Sequence, residues 1–284
     1  IDTVPGEIPV RIENEILYGR CTVDSKGALA SFADAVAQVG IVDGWQFVVI
    51  GAVDEERDSL GARFVVDKYK PDFAIIGEPN CWDRIALGYK GSAWAKVTLQ
   101  REQSHSASGE QTASEAAVEA WLAIKAVAKE YNTDKKRAFD KLLLTLRGVK
   151  TGEDNFEQWT RIKVGTRLPV ELTPDAWYAQ LEKIVQGADI ERVGYAIPAW
   201  GCEKNTQLVR AFRNGIRLEG GKPRFVYKTG TADLNIVAPV WGCPIVVYGP
   251  GDSSLDHTPN EHISLEEYVK GVNVLSNVIQ LLCR

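Results

Sequence analysis

The sequence lacks both a long apolar run and a phosphate-binding glycine loop. A helix that spans a bilayer needs roughly 18 consecutive apolar residues, and no stretch approaches that length. Neither G-x-G-x-x-G nor G-x-x-x-x-G-K-S/T follows any apolar run, which argues against a nucleotide-binding α/β protein. We therefore expect a protein that spans no membrane and has no nucleotide site of these kinds.

Cysteine pairs and excess positive charge are also lacking. The five cysteines are scattered without a C-x-x-C pair, and the net charge is −5. The cysteines fit reduced thiols of a cytoplasmic protein better than a disulfide framework or a cysteine zinc site. The net negative charge gives no sign of nucleic-acid binding.

What the sequence does contain is a core-forming α/β pattern. At 284 residues and 45% hydrophobic composition, the chain can form one large domain or two moderate ones. Short apolar runs, each ending at a glycine, predict strands at 47–50, 73–76 and 245–248. Helix-like stretches lie at 26–40, before the first of these strands, and at 59–69, between the first two. This alternation predicts an α/β domain with a mostly parallel sheet.

The middle of the chain follows a different pattern. Residues 92–100 alternate apolar and polar, as in a half-buried antiparallel strand, and further strands are predicted at 161–170 and 190–197. Helices are predicted from Thr112 to Tyr131, opened by a capping box with Glu115, and over 173–185. We therefore expect an inserted α+β, ferredoxin-like domain over 88–198, within a catalytic domain formed by 1–87 and 199–284.

The α/β pattern resumes after Pro198. It ends in a helix from Ser264 onward, where Glu267 completes a second capping-box pattern. The sequence contains no internal repeat and no low-complexity linker.

Acidic residues and a histidine follow the predicted strands. Glu55 and Glu56 come after 47–50, Glu78 after 73–76 and His257 after 245–248, while Asp24 precedes the first helix. Ligands bind at the carboxyl ends of strands in open α/β sheets, so these groups can converge there. An adjacent Glu pair alone is more simply a solvated helix start, and two histidines in a loop are ordinary surface. Together the groups form an oxygen and nitrogen ligand set suited to Zn²⁺ or a similar ion.

Five motifs along the whole chain carry a resemblance to a known family. The segments are "IDTVPG", "GRCTVDSKG", "DEERDSLGAR", "IGEPN" and "HTPNE". The sequence resembles the acetylornithine deacetylase / succinyl-diaminopimelate desuccinylase family of dinuclear zinc amidohydrolases. The resemblance implies two Zn²⁺ per subunit, with Co²⁺ as a possible substitute.

The resemblance also assigns roles at the metal site. It implies that Asp24 bridges the metals, that Glu56 and His257 complete one site, and that Glu78 serves the other. Glu55 matches the general base, and Asp2 the acid that orients a metal-bound histidine. The family places that histidine one residue before Ile1, so we expect weak occupancy of the second site and low activity for residues 1–284 alone.

Further matches lie in the inserted domain and beyond it. The resemblance implies a lid that also forms a homodimer, with His105 as an oxyanion stabiliser acting on the partner's site. An ordinary surface histidine before a helix is the alternative. Gly230 and Thr231 match a loop near the substrate, where a plain turn is nearly as good an interpretation. Asn205 matches a position that contacts substrate.

The substrate prediction also comes from the resemblance. Residues 228–263 are closest to enzymes that release lysine or ornithine from the terminal glutamate of an amino-group carrier protein, in lysine and arginine biosynthesis. Segment 124–150 holds eight basic against three acidic residues and could steer an acidic carrier, unless it is simply a solvated face. The alternatives are a small-molecule deacylase, acting on acetyl-lysine, acetylornithine or succinyl-diaminopimelate, and a catalytically inactive binding protein.

Overall fold

The computed structural model describes residues 4–284 and divides the chain into two compact units. Unit 1 comprises Ile1–Gly88, Gly201–Lys228 and Ala232–Arg284. Unit 2 comprises Tyr89–Trp200 and Thr229–Thr231. Within residues 4–284, no helix has the length and apolar character that a membrane crossing requires.

The main sheet of unit 1 runs in the order β10-β4-β11-β3. Its strands are β3 (Ala74–Ile76), β4 (Arg84–Tyr89), β10 (Arg224–Lys228) and β11 (Ile245–Val247), and the two-residue β9 (Trp200–Gly201) lies where the chain changes unit. β11 is parallel to β3 and antiparallel to β4. The α/β class is therefore confirmed, but the sheet is mixed rather than mostly parallel, because β4, a strand that the sequence did not predict, runs the other way.

Among the described residues, five α-helices belong to unit 1. They are α1 (Lys26–Val39), α2 (Leu60–Val65), α5 (Gln207–Leu218), α6 (Leu234–Trp241) and α7 (Leu265–Leu282). α1 and α5 both pack on α7, and fully buried Phe212, Val246 and Val278 join α5, β11 and α7 in one core. Burying a side chain of this size stabilises a fold by about 1.5–3 kcal/mol.

A second, three-stranded sheet holds two loops of unit 1 side by side. Its order is β1-β2-β12, with strands β1 (Arg11–Glu13), β2 (Ile16–Tyr18) and β12 (His262–Ser264). The antiparallel ladder sets Tyr18 opposite His262. The loop that follows β2 and the loop that precedes β12 therefore start from neighbouring residues.

Unit 2 has the β-α-β-β-α-β order of a ferredoxin-like fold. Its elements are β5 (Gly91–Glu102), α3 (Ala113–Tyr131), β6 (Leu143–Asp154), β7 (Glu157–Leu168), α4 (Pro174–Ile184) and β8 (Asp189–Ile197). The sheet order is β6-β7-β5-β8, and each of these pairs is antiparallel. Ala93, Ala95, Val97 and Leu99 of β5 are buried with side chains of α3 and α4.

The predicted strand at 47–50 is wrong. Among residues 4–284, none pairs with this segment in a ladder, and Val48 and Val49 are 47% and 39% exposed. The segment and β3 instead both line a cavity of about 970 Å³. An apolar β-branched run favours a strand, but only a hydrogen-bonded neighbour makes it one.

Three other local predictions need correction. The helix expected over 59–69 is only α2, because residues 66–68 form a turn instead of continuing the helix. β6 was not predicted at all. At the start of α7, Ser264 accepts the N–H of Glu267, but the Glu267 carboxylate accepts the N–H groups of Trp82 and Gly251 instead of closing a capping box.

Candidate metal centre

Three predicted ligands come together in unit 1. His257 Nε2 lies 3.1 Å from Asp24 Oδ2 and 2.7 Å from Glu56 Oε1. One ligand atom from each of the three residues lies within 4.8 Å of the others. Two carboxylates and one imidazole at this spacing are a donor set suited to a divalent cation such as zinc. The residues present therefore fit a metal ion.

The fold explains why these groups meet. β3 and β11 are parallel and paired at Ile76 and Val247, so the chain leaves both strands at the same edge of the sheet. Glu78 follows β3 directly, and the loop after β11 carries His257. Asp24 lies in the turns between β2 and α1, which the β2–β12 ladder holds near the segment that contains His257. Binding at this edge is the rule for open α/β sheets.

The acids of the site crowd one another. Burial, followed by repulsion from Glu56, raises the pKa of Asp24 above its ordinary value, although His257 opposes the shift. Burial, followed by repulsion from Glu55 and Asp24, raises the pKa of Glu78 well above the usual range. Burial lowers the pKa of His257, but the Glu56 and Asp24 carboxylates outweigh burial and raise it. A bound cation relieves this repulsion, which is a second observation in favour of a metal site.

Sequence reasoning missed two polar residues beside this cluster. Burial, with repulsion from Asp24, raises the pKa of Asp256 to about 8, and its Oδ1 has no hydrogen-bond partner within residues 4–284. Lys228 donates from Nζ to the Pro79 carbonyl at 3.1 Å and to Ser253 Oγ at 2.7 Å. Both were discoverable, because Asp256 precedes His257 and Lys228 opens the motif "KTGTADLN".

The other predicted site residues lie outside the three-residue cluster. His105 is exposed in unit 2, where its Nδ1 accepts the N–H of Ala107 at 3.1 Å. Asn205 is exposed in unit 1, directly before the N-cap of α5. Thr231 Oγ1 accepts a hydrogen bond from Arg167 at 3.3 Å, and Gly230 beside it has open space where a Cβ would stand. Asp2 lies outside the described residues.

Comparisons with known proteins found relatives along nearly the whole chain. Residues 1–281 match the model of the peptidase family M20/M25/M40. The LysW-lysine hydrolase of Deinococcus radiodurans is 38% identical over 294 residues, covering 99% of this chain and 80% of that protein. The LysW-lysine/LysW-ornithine hydrolase of Sulfurisphaera tokodaii is 29% identical over 286 residues, covering 100% of this chain and 80% of its own length.

A solved structure gives the same result for the fold. The aminopeptidase PepT from Bacillus cereus superimposes with a TM-score of 0.75 at 17% identity, covering 97% of this chain and 76% of PepT. The matches in sequence confirm the predicted family relationship. They also confirm the predicted enzyme class, a metal-dependent hydrolase. This chain belongs to the peptidase family M20/M25/M40.

Proposed function

We propose that this protein is a zinc-dependent amide hydrolase that releases lysine or ornithine from an amino-group carrier protein. The observation that carries the proposal is the cluster of Asp24, Glu56 and His257, in a chain 38% identical to a LysW-lysine hydrolase over 99% of its length. We infer two zinc ions per subunit, which Asp24, Glu56, His257 and Glu78 would hold. Five cysteines without a disulfide are consistent with a cytoplasmic location.

The reaction needs a base beside the metal. Zinc supplies Lewis-acid chemistry, which polarises an amide carbonyl and makes water more acidic. Glu55 directly precedes Glu56, and both Glu55 and Glu78 line the cavity of unit 1. In the proposed mechanism Glu55 takes the proton from the attacking water and passes it to the leaving amine, while Glu56 holds metal. Mutual repulsion between Glu55 and Glu78 favours a cation beside one of them.

Several other residues complete the proposal. His105 would donate a hydrogen bond to the oxyanion that forms on the substrate carbonyl, across a homodimer. Asn205, Gly230 and Thr231 would contact the substrate, and Asp2 would orient a ligand. These roles rest on motif matches.

The proposed homodimer would form through unit 2. Strand β6 is twelve residues long and lies at the edge of its sheet, with backbone groups available to a second copy. On α3, Val118 and Leu122 are 59% and 55% exposed and share one helical face. An apolar helix face and a long edge strand in one small domain favour self-association.

The carrier protein would bind to the basic face of the unit 2 sheet. This face, opposite to α3 and α4, carries the cations Lys96, Arg147, Lys150, Arg161 and Lys163 and the aromatic rings of Trp94 and Trp159, with the acids Asp189 and Glu191 of β8 at its edge. Lys163 Nζ lies 5.1 Å from the Trp94 ring centroid, and Arg161 lies 5.6 Å from that of Trp159. Cations that lie against aromatic rings on an exposed surface suit an acidic protein partner.

The testing experiment compares substrates. The complete protein, loaded with zinc or cobalt, is offered aminoacylated carrier protein, acetyl-lysine, acetylornithine and succinyl-diaminopimelate, and free amino acid is measured. We expect turnover of the carrier substrate to exceed that of each small amide. Preference for a small amide would instead support a small-molecule deacylase, and no turnover of any substrate would support an inactive binding protein.

A further inference from the structure

Glu261 and Arg20 form a buried ion pair next to the candidate metal centre. Arg20 Nη1 donates to Glu261 Oε2 at 2.9 Å, and the two side chains are 11% and 1% exposed. Neither residue is among the proposed ligands. A buried ion pair is weak grounds for stability alone, because desolvation offsets much of the attraction. The role of the Arg20–Glu261 pair is therefore best inferred from the other groups that these two side chains contact.

The second oxygen of Glu261 reaches the loop that carries Asp24. Glu261 Oε1 accepts the N–H of Val23 at 3.0 Å and the N–H of Asp24 at 3.2 Å. The residue whose carboxylate would bridge the metals is thus held through its own backbone. Val23 beside it is fully buried, which restricts the loop further.

The same pair also holds the segment that carries His257. Arg20 Nη1 donates to the carbonyl of Thr258 at 3.1 Å, and Arg20 Nε donates to the carbonyl of Gly6 at 3.0 Å. In addition, the backbone carbonyl of Glu261 accepts a hydrogen bond from the N–H of Gly19 at 3.3 Å. The ion pair therefore joins the two ligand-bearing segments on both sides of the candidate site.

We propose that Glu261, oriented by Arg20, is a positioning residue that holds Asp24 and His257 at the separation a divalent cation requires. The inference rests on the proposed function, because it takes these two residues as ligands. Asp24 and Glu56 repel each other, so an untethered loop would move Asp24 away from the cluster. Glu261 resists this movement before the metal binds, which is how groups behind metal ligands raise metal affinity.

The test uses Glu261→Gln in the complete protein, with Co²⁺ as the probe. The variant keeps the shape and one acceptor oxygen but loses the charge that faces Arg20. We expect Co²⁺ affinity, measured by competition with a chromophoric chelator, to fall about 10–100-fold, and the visible spectrum of bound Co²⁺ to change. The thermal midpoint of the metal-free protein is recorded alongside. Arg20→Lys, which keeps the charge but not the planar fork, should give a smaller loss in the same direction.

A matched control is available in Glu267→Gln. Glu267 Oε1 also accepts two backbone N–H groups, each at 3.1 Å, but they belong to Trp82 and Gly251, which are not proposed ligands. This variant should keep the parental Co²⁺ affinity and spectrum. Parental Co²⁺ binding by both Glu261→Gln and Arg20→Lys, or an equal loss in Glu267→Gln, would overturn the positioning role. A parent protein that binds Co²⁺ but releases no lysine or ornithine would contradict only the proposed function.

Discussion

Lys96 on β5 and Lys163 on β7 are directly opposite each other in an antiparallel ladder. Like charges in such a pair destabilise a sheet. Lys96 is compensated by Glu191, at 2.7 Å, whereas Lys163 lies over the ring of Trp94. Each lysine therefore has a compensating partner in the sheet, and Arg147, Lys150 and Lys163, which lie farther from the acids of β8, are the cations that the proposed acidic carrier would contact.

The basic face should matter for the carrier substrate alone. Neutralising Arg147, Lys150 and Lys163 with glutamine should lower kcat/KM for aminoacylated carrier protein by at least about 10-fold at low salt, because steering depends on charge. The effect should shrink as salt is added. Steady-state kinetics at several salt concentrations, with acetyl-lysine as the small substrate, measures it.

A control removes equal charge from the other side of unit 2. Lys125 and Lys129 lie on α3, and Lys136 follows that helix. Changing these three to glutamine should have little effect on carrier turnover. An equal loss in both triple variants, or an equal loss with acetyl-lysine, would contradict docking on the basic face.

Substitutions of Glu55 and Glu56 should have different effects, the first on hydrolysis and the second on metal binding. Glu55→Gln should lower hydrolysis by about 10²–10⁴-fold, the usual contribution of a general base, with Co²⁺ affinity retained. Glu56→Gln should weaken Co²⁺ binding, since Glu56 Oε1 lies in the cluster, 2.7 Å from His257 Nε2. Turnover and Co²⁺ titration of the same preparations test both. Unchanged turnover in Glu55→Gln would exclude it as the base.

The dimer proposal predicts a change of mass. Val118→Glu together with Leu122→Glu places two charges on the exposed face of α3 and should give monomers in sedimentation velocity runs, because a buried unpaired charge is costly. Leu218→Glu is the control, since Leu218 is equally apolar and 66% exposed at the end of α5 in unit 1. A dimer that persists in the Val118→Glu, Leu122→Glu variant would show that this face of α3 is not the dimer contact.

Lys90 should make stability depend on pH in alkaline solution. It is fully buried and donates from Nζ to the carbonyls of Phe139 and Lys141. Burial, partly opposed by Asp140, lowers the pKa of Lys90 to about 8, against roughly 10.4 for an unfolded lysine. Between these values the unfolded chain binds a proton that the folded chain has lost, so the contribution of Lys90 to the free energy of unfolding rises with pH.

Lys90→Met isolates this contribution. Denaturant unfolding of parent and variant between about pH 7 and about pH 10 should show the parent gaining stability relative to the variant as pH increases. Lys96→Met, which removes a partly exposed lysine of the same unit, is the matched control. Parallel curves for Lys90→Met would mean that the lysine titrates normally in the folded state.

Structure that depends on residues close together in the sequence was predictable, whereas contacts with distant residues were not. The Thr112 and Glu115 capping box is present with both of its hydrogen bonds. The same pattern at Ser264 fails because the Glu267 carboxylate accepts the N–H groups of Trp82, 185 residues away in sequence, and of Gly251, 16 residues away. Apolar runs located β3 and β11, but they could not reveal whether 47–50 has a strand neighbour.

The same contrast between local patterns and long-range contacts holds for the candidate site and the basic face. Motifs identified Asp24, Glu56 and His257, which the structure brings together. The charge count over 124–150 could not include Glu171, a distant residue that pairs with Lys135. Arg161 and Lys163 lie outside that segment, so only strand pairing could place them beside Arg147 and Lys150.

The parallel pairing of β3 with β11 also constrains biosynthesis of the protein. β3 is translated before unit 2, and β11 and His257 are translated after it. The cluster of Asp24, Glu56 and His257 therefore cannot form on the ribosome until unit 2 has been made. A nascent chain halted within unit 2 would expose Asp24, Glu56 and Glu78 without His257, so under the proposed function the binding of a divalent metal would mark a chain whose later half has already been synthesised.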